Sequence, residues 1–218
     1  MTGAATTVTK EGLADWIRPS RTAVLIIDMQ VDFAAPDGSC ALGGCDMSAV
    51  PAALAAAERL AGAARKVGAL VVFPRLWTEP ATDSLVWKER RRRAGQERED
   101  ARYPCRAGSY GAEFYGPLPQ EGDLIVSKTK YSAFFGTELD ALLAKRSIDT
   151  LVFAGLTTEC CVDSSVRDAC HLDYHIFIAA DACAAYDEEM HRQSLAVLEL
   201  NCGILTDVAS VEAAWRLA

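Results

Sequence analysis

The sequence LVFAGLTTECCVDSSVRDAC at residues 151–170 decides the fold of this chain. It begins as a short apolar run with β-branched and aromatic members, breaks at Gly155 and two threonines, and resumes from Val162 with apolar residues at helical spacing. This pattern predicts a strand, a tight turn and a helix. Cys161 lies at the start of that helix, next to backbone N–H groups without intrahelical partners and the positive end of the helix dipole.

A thiol at a helix start ionises more readily, and the thiolate is the nucleophilic form of cysteine. An ordinary thiol with a pKa of ~8.5 needs about 2 kcal/mol to be ionised at pH 7. Because a helix terminus contributes only about 0.3–1 kcal/mol, activation of Cys161 also requires a base or a cation from elsewhere in the chain. Without such partners Cys161 is interpreted as a buried structural thiol, as most free cysteines are.

The composition is that of a globular protein, and no change in composition divides the 218 residues, so we expect one domain over 1–218. The net charge of −8 argues against nucleic acid and anionic membranes as partners, because both bind basic surfaces. The first residues lack a signal-peptide pattern and no run of about 18 apolar residues occurs, which predicts a cytoplasmic protein. The eight cysteines are expected to be reduced.

Apolar runs alternate with helical patterns along the whole chain. This alternation predicts an α/β fold, a single doubly wound domain with an about six-stranded, mainly parallel sheet and helices on both faces. The predicted strands are 22–28, 69–74, 124–128, 150–154, 174–179 and a short one near 203–205. The predicted helices are about 49–66, 137–146 with Thr137 as a possible cap, one after Cys161, 187–200 and the tail from Val208.

Two segments lie outside this alternation. Residues 1–20 are interpreted as an amphipathic lead-in, and residues 76–116 as a covering loop or an ordered insertion, because so long a connection without a period is unusual in a compact domain. The insertion contains the charged run 88–93, KERRRR. The arginines of this run could bind an anionic substrate, although a solvated helix face is the preferred interpretation.

Chemistry-bearing side chains follow three of the predicted strands. Asp28 closes the first strand, Lys128 ends the third, and Cys161 follows the fourth. Each alone has a structural explanation, since an aspartate often caps a turn and a lysine is usually solvated. Because open α/β sheets bind ligands at the carboxyl ends of their strands, the three together supply the base, cation and nucleophile that activation of the thiol requires.

Three motifs resemble one known family in their order and spacing. They are IDMQVDF at 27–33, KTKYSAF at 128–134, and GLTTECCV at 155–162 with RDA at 167–169. On these motifs the chain resembles the isochorismatase-like cysteine hydrolases, which include nicotinamidases, N-carbamoylsarcosine amidohydrolase and ureidoacrylate amidohydrolases. The resemblance extends from about residue 21 to 207.

The resemblance implies a catalytic triad of Asp28, Lys128 and Cys161. Lys128, three residues before the Tyr-Ser pair, matches the family's catalytic lysine, whereas Lys130 does not. Of the two adjacent cysteines, the nucleophile is the one followed by valine, which is Cys161 and not Cys160.

The resemblance also implies a cis peptide bond between Leu156 and Thr157, and an oxyanion site formed by the backbone N–H groups of Thr157 and Cys161. Five residues beside the triad in the motifs are candidates for substrate binding: Phe33, Trp77, Tyr131, Phe134 and Leu156. A substrate carboxylate would require an arginine, for which Arg75, Arg102 and Arg106 all remain candidates.

Differences from the family narrow the expected chemistry. Nicotinamidases carry a metal site with several histidines, whereas this chain has no histidine before His171, so we expect no metal and no cofactor. His171 and His175 are four residues apart, a spacing that would suit a metal if both lay on one helix. Because the chain is predicted to pass from helix to strand between them, we interpret both as ordinary residues at that boundary. True isochorismatases cleave a vinyl ether and lack the cysteine that this chain keeps.

The resulting hypothesis is a cysteine amidohydrolase. It would cleave a C–N bond of a small linear amide or ureide through a thioester and release ammonia or an amine. The alternatives are a vinyl-ether hydrolase of the isochorismatase type, a catalytically silent α/β binding module, and a thiol-redox protein that uses Cys160 and Cys161. The resemblance further implies a homodimer or homotetramer.

Overall fold

The computed structural model of the chain describes residues 10–96 and 103–217. Within these ranges six strands form one sheet, and every neighbouring pair is parallel. The strands are β1 (Thr22–Ile27), β2 (Leu70–Leu76), β3 (Leu124–Lys128), β4 (Thr150–Leu156), β5 (His175–Ala184) and β6 (Ile204–Thr206). Their order across the sheet is β3-β2-β1-β4-β5-β6, so the winding reverses between β1 and β4. The predicted doubly wound α/β domain is confirmed.

Helices cover both faces of the sheet. In chain order they are α1 (Lys10–Trp16), α2 (Val31–Ala34), α3 (Ser39–Leu42), α4 (Val50–Val67), α5 (Leu85–Arg93), α6 (Leu139–Ala144), α7 (Asp163–His171), α8 (Glu188–Asn201) and α9 (Val208–Trp215). Side chains from α1, α4 and α9 share one buried cluster with the sheet, and side chains from α6, α7 and α8 share the other.

The position of β1 at the centre of the sheet explains why its sequence is continuously apolar. Val24 and Ile26 pack into the cluster on one face, while Ala23, Leu25 and Ile27 pack into the cluster on the other. All five are fully buried. A strand covered on both faces needs apolar residues at every position, as parallel sheets with helices on both sides do.

Some predicted boundaries differ from the structure. The fifth strand was predicted at 174–179, but β5 continues to Ala184. The helix predicted at 137–146 is shorter, and α6 spans Leu139–Ala144. Thr137 nevertheless contributes at its start, because its hydroxyl accepts a hydrogen bond from the backbone N–H of Leu139 at 3.3 Å.

The segment 76–116 contains local structure. It holds α5 and forms two isolated bridges, Thr78 with Arg106 and Gln30 with Phe114. Asp32, just after β1, accepts a hydrogen bond from the backbone N–H of Cys105 at 2.6 Å. These contacts attach the insertion to the chain that leaves the carboxyl end of β1.

The predicted lead-in is described from Lys10 onward, and residues 1–9 lie outside the described ranges. Its end is attached to the last helix, because the indole N–H of Trp215 donates to the carbonyl of Ile17 at 2.7 Å. Among the helices of the described ranges, none combines the length and apolar character needed to span a membrane.

Candidate active site

The carboxyl ends of three strands bring together side chains that are distant in sequence. Asp28 directly follows β1, Lys128 is the last residue of β3, and Cys161 lies in a π-helical turn, Thr158–Val162, that follows β4. β1 and β4 are the strands between which the winding reverses. Ligands of open α/β sheets bind in the crevice at such a point.

Lys128 and Asp28 form a buried ion pair. The ammonium Nζ lies 2.6 Å from Asp28 Oδ2, and both side chains have an exposed fraction of 0%. Lys128 Nζ also donates to the carbonyl of Lys130 at 3.1 Å. The pair connects the ends of β3 and β1 across β2, which lies between them in the sheet.

The thiol of Cys161 interacts with both members of this pair. Burial raises the pKa of Asp28 above its ordinary value, against the opposing charge of Lys128 and a hydrogen bond from the Cys161 thiol. The second carboxylate oxygen, Asp28 Oδ1, is buried, and no well-formed hydrogen bond from the described residues reaches it. It is therefore available to accept a proton.

The environment keeps the thiol protonated at neutral pH. A hydrogen bond with Cys160, burial and the charge of Asp28 raise the pKa of Cys161, and the charge of Lys128 only partly opposes them. Burial disfavours the ammonium form of Lys128, yet the negative charge of Asp28 and the hydrogen bond to its carboxylate raise the pKa of Lys128 overall. The site thus holds an ammonium beside a neutral thiol.

The turn that carries Cys161 differs slightly from the predicted helix start. The helical chain begins at Thr158, so Cys161 lies within its first turns instead of at its first position. Ser165 Oγ donates to the carbonyl of Cys161 at 2.6 Å and accepts from the backbone N–H of Ala133 at 2.9 Å. This hydroxyl connects the turn to the segment that follows Lys128.

Gly155 permits the close approach of β4 to β1. Its φ is +136°, and a Cβ at this position would lie 2.3 Å from the carbonyl oxygen of Ile27. The next peptide bond, between Leu156 and Thr157, is cis, at the position that the resemblance indicates. The hydroxyl of Thr157 donates to Glu159 Oε1 at 2.8 Å.

A cavity of about 610 Å³ opens beside the cluster. Cys161 lines it, as do three of the predicted substrate-binding residues, Phe33, Tyr131 and Leu156, together with Thr157. The carbonyl of Phe33 accepts a hydrogen bond from the hydroxyl of Tyr186, which also lines the cavity, at 2.7 Å. The geometry therefore places the Cys161 thiol at the wall of a cavity large enough for a small organic molecule, with the buried Lys128–Asp28 pair behind that wall.

Comparison with known proteins agrees with this geometry. The Isochorismatase domain model matches residues 22–210. The chain belongs to the isochorismatase family.

Curated relatives include ureidoacrylate amidohydrolases. That of Methylobacterium radiotolerans is 33% identical over 210 residues, covering 90% of this chain and 80% of the relative, and that of Agrobacterium fabrum is 32% identical, covering 89% and 94%. Among solved structures, a cysteine hydrolase from Pseudomonas syringae pv. phaseolicola is similar with a TM-score of 0.78 and 26% identity, covering 93% of this chain and 95% of that one.

Two predicted pocket residues lie elsewhere in this isochorismatase fold. Trp77 is absent from the cavity wall and stacks under the guanidinium of Arg75, 3.9 Å from the ring centroid. Phe134 is also absent from it, because its ring packs into the core beneath α6 and α7, 5.8 Å from the ring of Tyr174. For both, packing within the protein accounts for the aromatic side chain.

Gln30 is a residue that the sequence reasoning missed. Its fully buried amide accepts from the backbone N–H of Leu76 at 2.8 Å and donates to the carbonyls of Leu76 at 2.9 Å and Ala112 at 2.8 Å. It therefore joins the end of β2 and the insertion to the chain just after Asp28. A polar residue amid the apolar positions of the 27–33 motif was the available signal.

The insertion contributes cavity residues that were also missed. Trp87, on α5, stacks on Tyr131 with ring centroids 4.6 Å apart. Two members of the charged run, Arg90 and Arg91, line the same cavity. Arg90 is exposed and Arg91 is half-buried, so these two members of the predicted solvated face also form part of the cavity wall.

Of the three arginines considered for a substrate carboxylate, the two that the structure describes interact with other side chains of the protein. Arg106 is paired with the carboxylate of Asp83, with two N–O distances of 2.7 Å. Arg75 covers Trp77 and donates to Ser127 Oγ at 3.0 Å. Arg102 lies outside the described residues.

The histidines are separate from the cluster of Asp28, Lys128 and Cys161. His171 and His175 are exposed at the end of α7 and the start of β5, and His191 Nδ1 lies 2.8 Å from Thr158 Oγ1. Across the two described ranges, no group of three or more histidine, cysteine, aspartate or glutamate side chains is arranged to hold a metal ion.

Proposed function

We propose that the protein is a cysteine amidohydrolase that cleaves a C–N bond of a small linear amide or N-carbamoyl compound and releases ammonia or an amine. The observation that carries this proposal is the buried Lys128–Asp28 pair, 2.6 Å apart, whose charges act on the pKa of the Cys161 thiol at the cavity wall. The ureidoacrylate amidohydrolases among the relatives support the N-carbamoyl class of substrate.

In the first step the sulfur of Cys161 attacks the substrate carbonyl while Asp28 accepts the thiol proton. Because the pKa values of both groups are raised, this transfer accompanies the attack instead of preceding it as a stable thiolate. The backbone N–H groups of Thr157 and Cys161 would stabilise the oxyanion, an interaction that usually contributes most to such catalysis.

In the second step Asp28 returns the proton to the leaving nitrogen, and the C–N bond breaks. The product is released as ammonia or an amine, and a thioester, or a thiocarbamate from a ureide, remains on Cys161. The same carboxylate then removes a proton from water, whose attack frees the acid and restores the thiol. Lys128 keeps its charge throughout and holds Asp28 in position.

The test is ammonia release from a panel of primary amides and N-carbamoyl compounds. Wild type is expected to turn over members of the panel, and Cys161→Ala is expected to lose this activity. Cys202→Ala serves as a matched control, because this thiol lies at the end of α8 and does not line the cavity.

A covalent adduct on Cys161, trapped by acid quenching and located by mass spectrometry, is the expected intermediate. Equal turnover by wild type and Cys161→Ala would contradict the proposed nucleophile. Absence of turnover across the whole panel would favour a catalytically silent binding module.

A further inference from the structure

We propose that Arg90 and Arg91 of α5 bind a carboxylate at the end of the substrate remote from the scissile bond. This inference rests on the proposed amidohydrolase function and specifies its substrate class, amides or ureides that carry a carboxylate. It assigns a specificity role to the insertion 76–116, which contributes none of the three proposed catalytic residues.

The cavity wall is mostly apolar and aromatic, with few charged side chains. Among the described lining residues only Asp83, Arg90 and Arg91 are charged. Pockets of this composition orient their ligands through a small number of well-placed polar groups. Among the described residues, these three therefore determine which charge on a ligand the cavity favours.

The negative charge of Asp83 is already compensated. Arg106 binds both of its carboxylate oxygens at 2.7 Å, and Lys88 Nζ lies 3.0 Å from Oδ2. The Asp83 side chain is only 3% exposed. Its carboxylate therefore neither repels an anion in the cavity nor neutralises the arginines of α5.

The only acid of α5 is also occupied. Glu89 accepts from Arg92 at 2.8 and 2.9 Å and from Arg93 at 2.6 Å. These two arginines do not line the cavity. Within the described ranges no carboxylate is paired with Arg90 or Arg91, and the guanidinium of Arg91 lies 5.6 Å from the centroid of the Tyr103 ring.

α5 is attached to the chain that carries Lys128. Trp87 stacks on Tyr131 with an angle of 23° between the rings, and Lys130 Nζ lies 4.8 Å from the Trp87 ring centroid. The start of the helix is capped by Ser84, whose hydroxyl accepts from the backbone N–H of Trp87 at 3.3 Å. These contacts hold the start of α5 against the segment that follows Lys128.

Tyr131 lines the same cavity as the arginines and the thiol. Burial raises the pKa of Tyr131, and the neighbouring Cys160 and Cys161 add to this effect, whereas the charges of Arg90 and Arg91 lower it. A substrate whose carbonyl contacts Cys161 would share this cavity with the guanidinium groups. Because a planar guanidinium matches a carboxylate with two parallel hydrogen bonds, a carboxylate is the anion that fits best.

Two ureides that differ in one group test this inference. In N-carbamoyl-β-alanine a carboxylate ends the chain, and in n-propylurea a methyl group replaces it. We expect wild type to favour the carboxylate compound by at least tenfold in kcat/KM. In R90Q/R91Q this preference is expected to fall at least tenfold, chiefly through KM, with partial recovery in R90K/R91K.

R93Q is the matched control, because it removes the same charge from the same helix at a position outside the cavity. It is expected to keep the wild-type preference. A wild-type preference near one, or the same loss in R90Q/R91Q and R93Q, would overturn the inference, while turnover of both compounds would leave the amidohydrolase proposal intact.

Measurements of binding test the inference separately from measurements of turnover. If wild type hydrolyses neither compound, calorimetric titration of Cys161→Ala gives the two dissociation constants. Tighter binding of the carboxylate compound that depends on Arg90 and Arg91 would support the inference, and equal binding would overturn it.

Discussion

Lys128→Met breaks the buried ion pair while keeping most of the side-chain volume. It leaves the Asp28 carboxyl without its cation in a site where both side chains have no exposure. Removing one member of such a pair costs about 3–5 kcal/mol of unfolding free energy. For a domain of this size about 1 kcal/mol corresponds to roughly 2–4 °C, so we expect Tm to fall by roughly 6–20 °C at pH 8.

The loss is expected to depend on pH. Without the ammonium, burial raises the pKa of Asp28 further, so the folded variant keeps a proton that the unfolded chain releases above about pH 4. Where the folded state binds more protons, stability decreases as pH rises. The destabilisation by Lys128→Met should therefore be smaller at pH 5 than at pH 8.

Urea unfolding at pH 5 and pH 8 measures both effects. Asp28→Asn combined with Lys128→Met removes the buried charge as well and should recover much of the stability, with little dependence on pH. Arg59→Met breaks the more exposed Arg59–Glu212 pair and should change stability little at either pH. A loss below about 1 kcal/mol for Lys128→Met at pH 8, or equal losses at both pH values, would refute the reasoning.

Three further results are expected. The kcat/KM of wild type should fall as pH decreases through the raised pKa of Asp28, because a protonated carboxyl cannot accept the thiol proton. A flat pH profile in folded protein would contradict the role of Asp28 as the base. Gly155→Ala should destabilise the fold by more than about 2 kcal/mol. Gly62→Ala, whose new Cβ would lie in open space on α4, should stabilise the fold slightly. Equal melting temperatures of the two variants would contradict this difference. Gln30→Leu leaves three backbone groups without their hydrogen-bond partner and should cost about 3 kcal/mol or more in denaturant unfolding. A cost below about 1 kcal/mol would contradict a stabilising role of the Gln30 amide.

Much of the fold was predictable because its strands are short apolar runs with clear ends. The strand 124–128 matches β3 residue for residue. The end of β5 was not predictable, because the polar Asp181 interrupts the run and a register shift between Phe153 and Gly155 lets the strand continue to Ala184. Such an irregularity arises from pairing between strands and leaves no signal in either strand alone.

The candidate catalytic cluster was predictable for a topological reason. In a parallel sheet the carboxyl ends of all strands share one edge, so residues that close three strands must lie near each other. The cavity wall was less predictable, since α5 has no hydrophobic period that indicates which face it presents. The positions of Trp87 and Arg90 depend on how the insertion packs against the rest of the protein. The local sequence around them does not specify this packing.

Because the ion pair joins β3 to β1 across β2, the proposed activity would report that these strands are assembled. Its partners are separated by 100 positions along the polypeptide, and the thiol lies in the turn that follows a fourth strand, β4, on the other side of β1. Any fragment, permutation or kinetic intermediate that leaves one of these four strands out of register should be chemically inert. Appearance of turnover during refolding would thus time the last of these docking events.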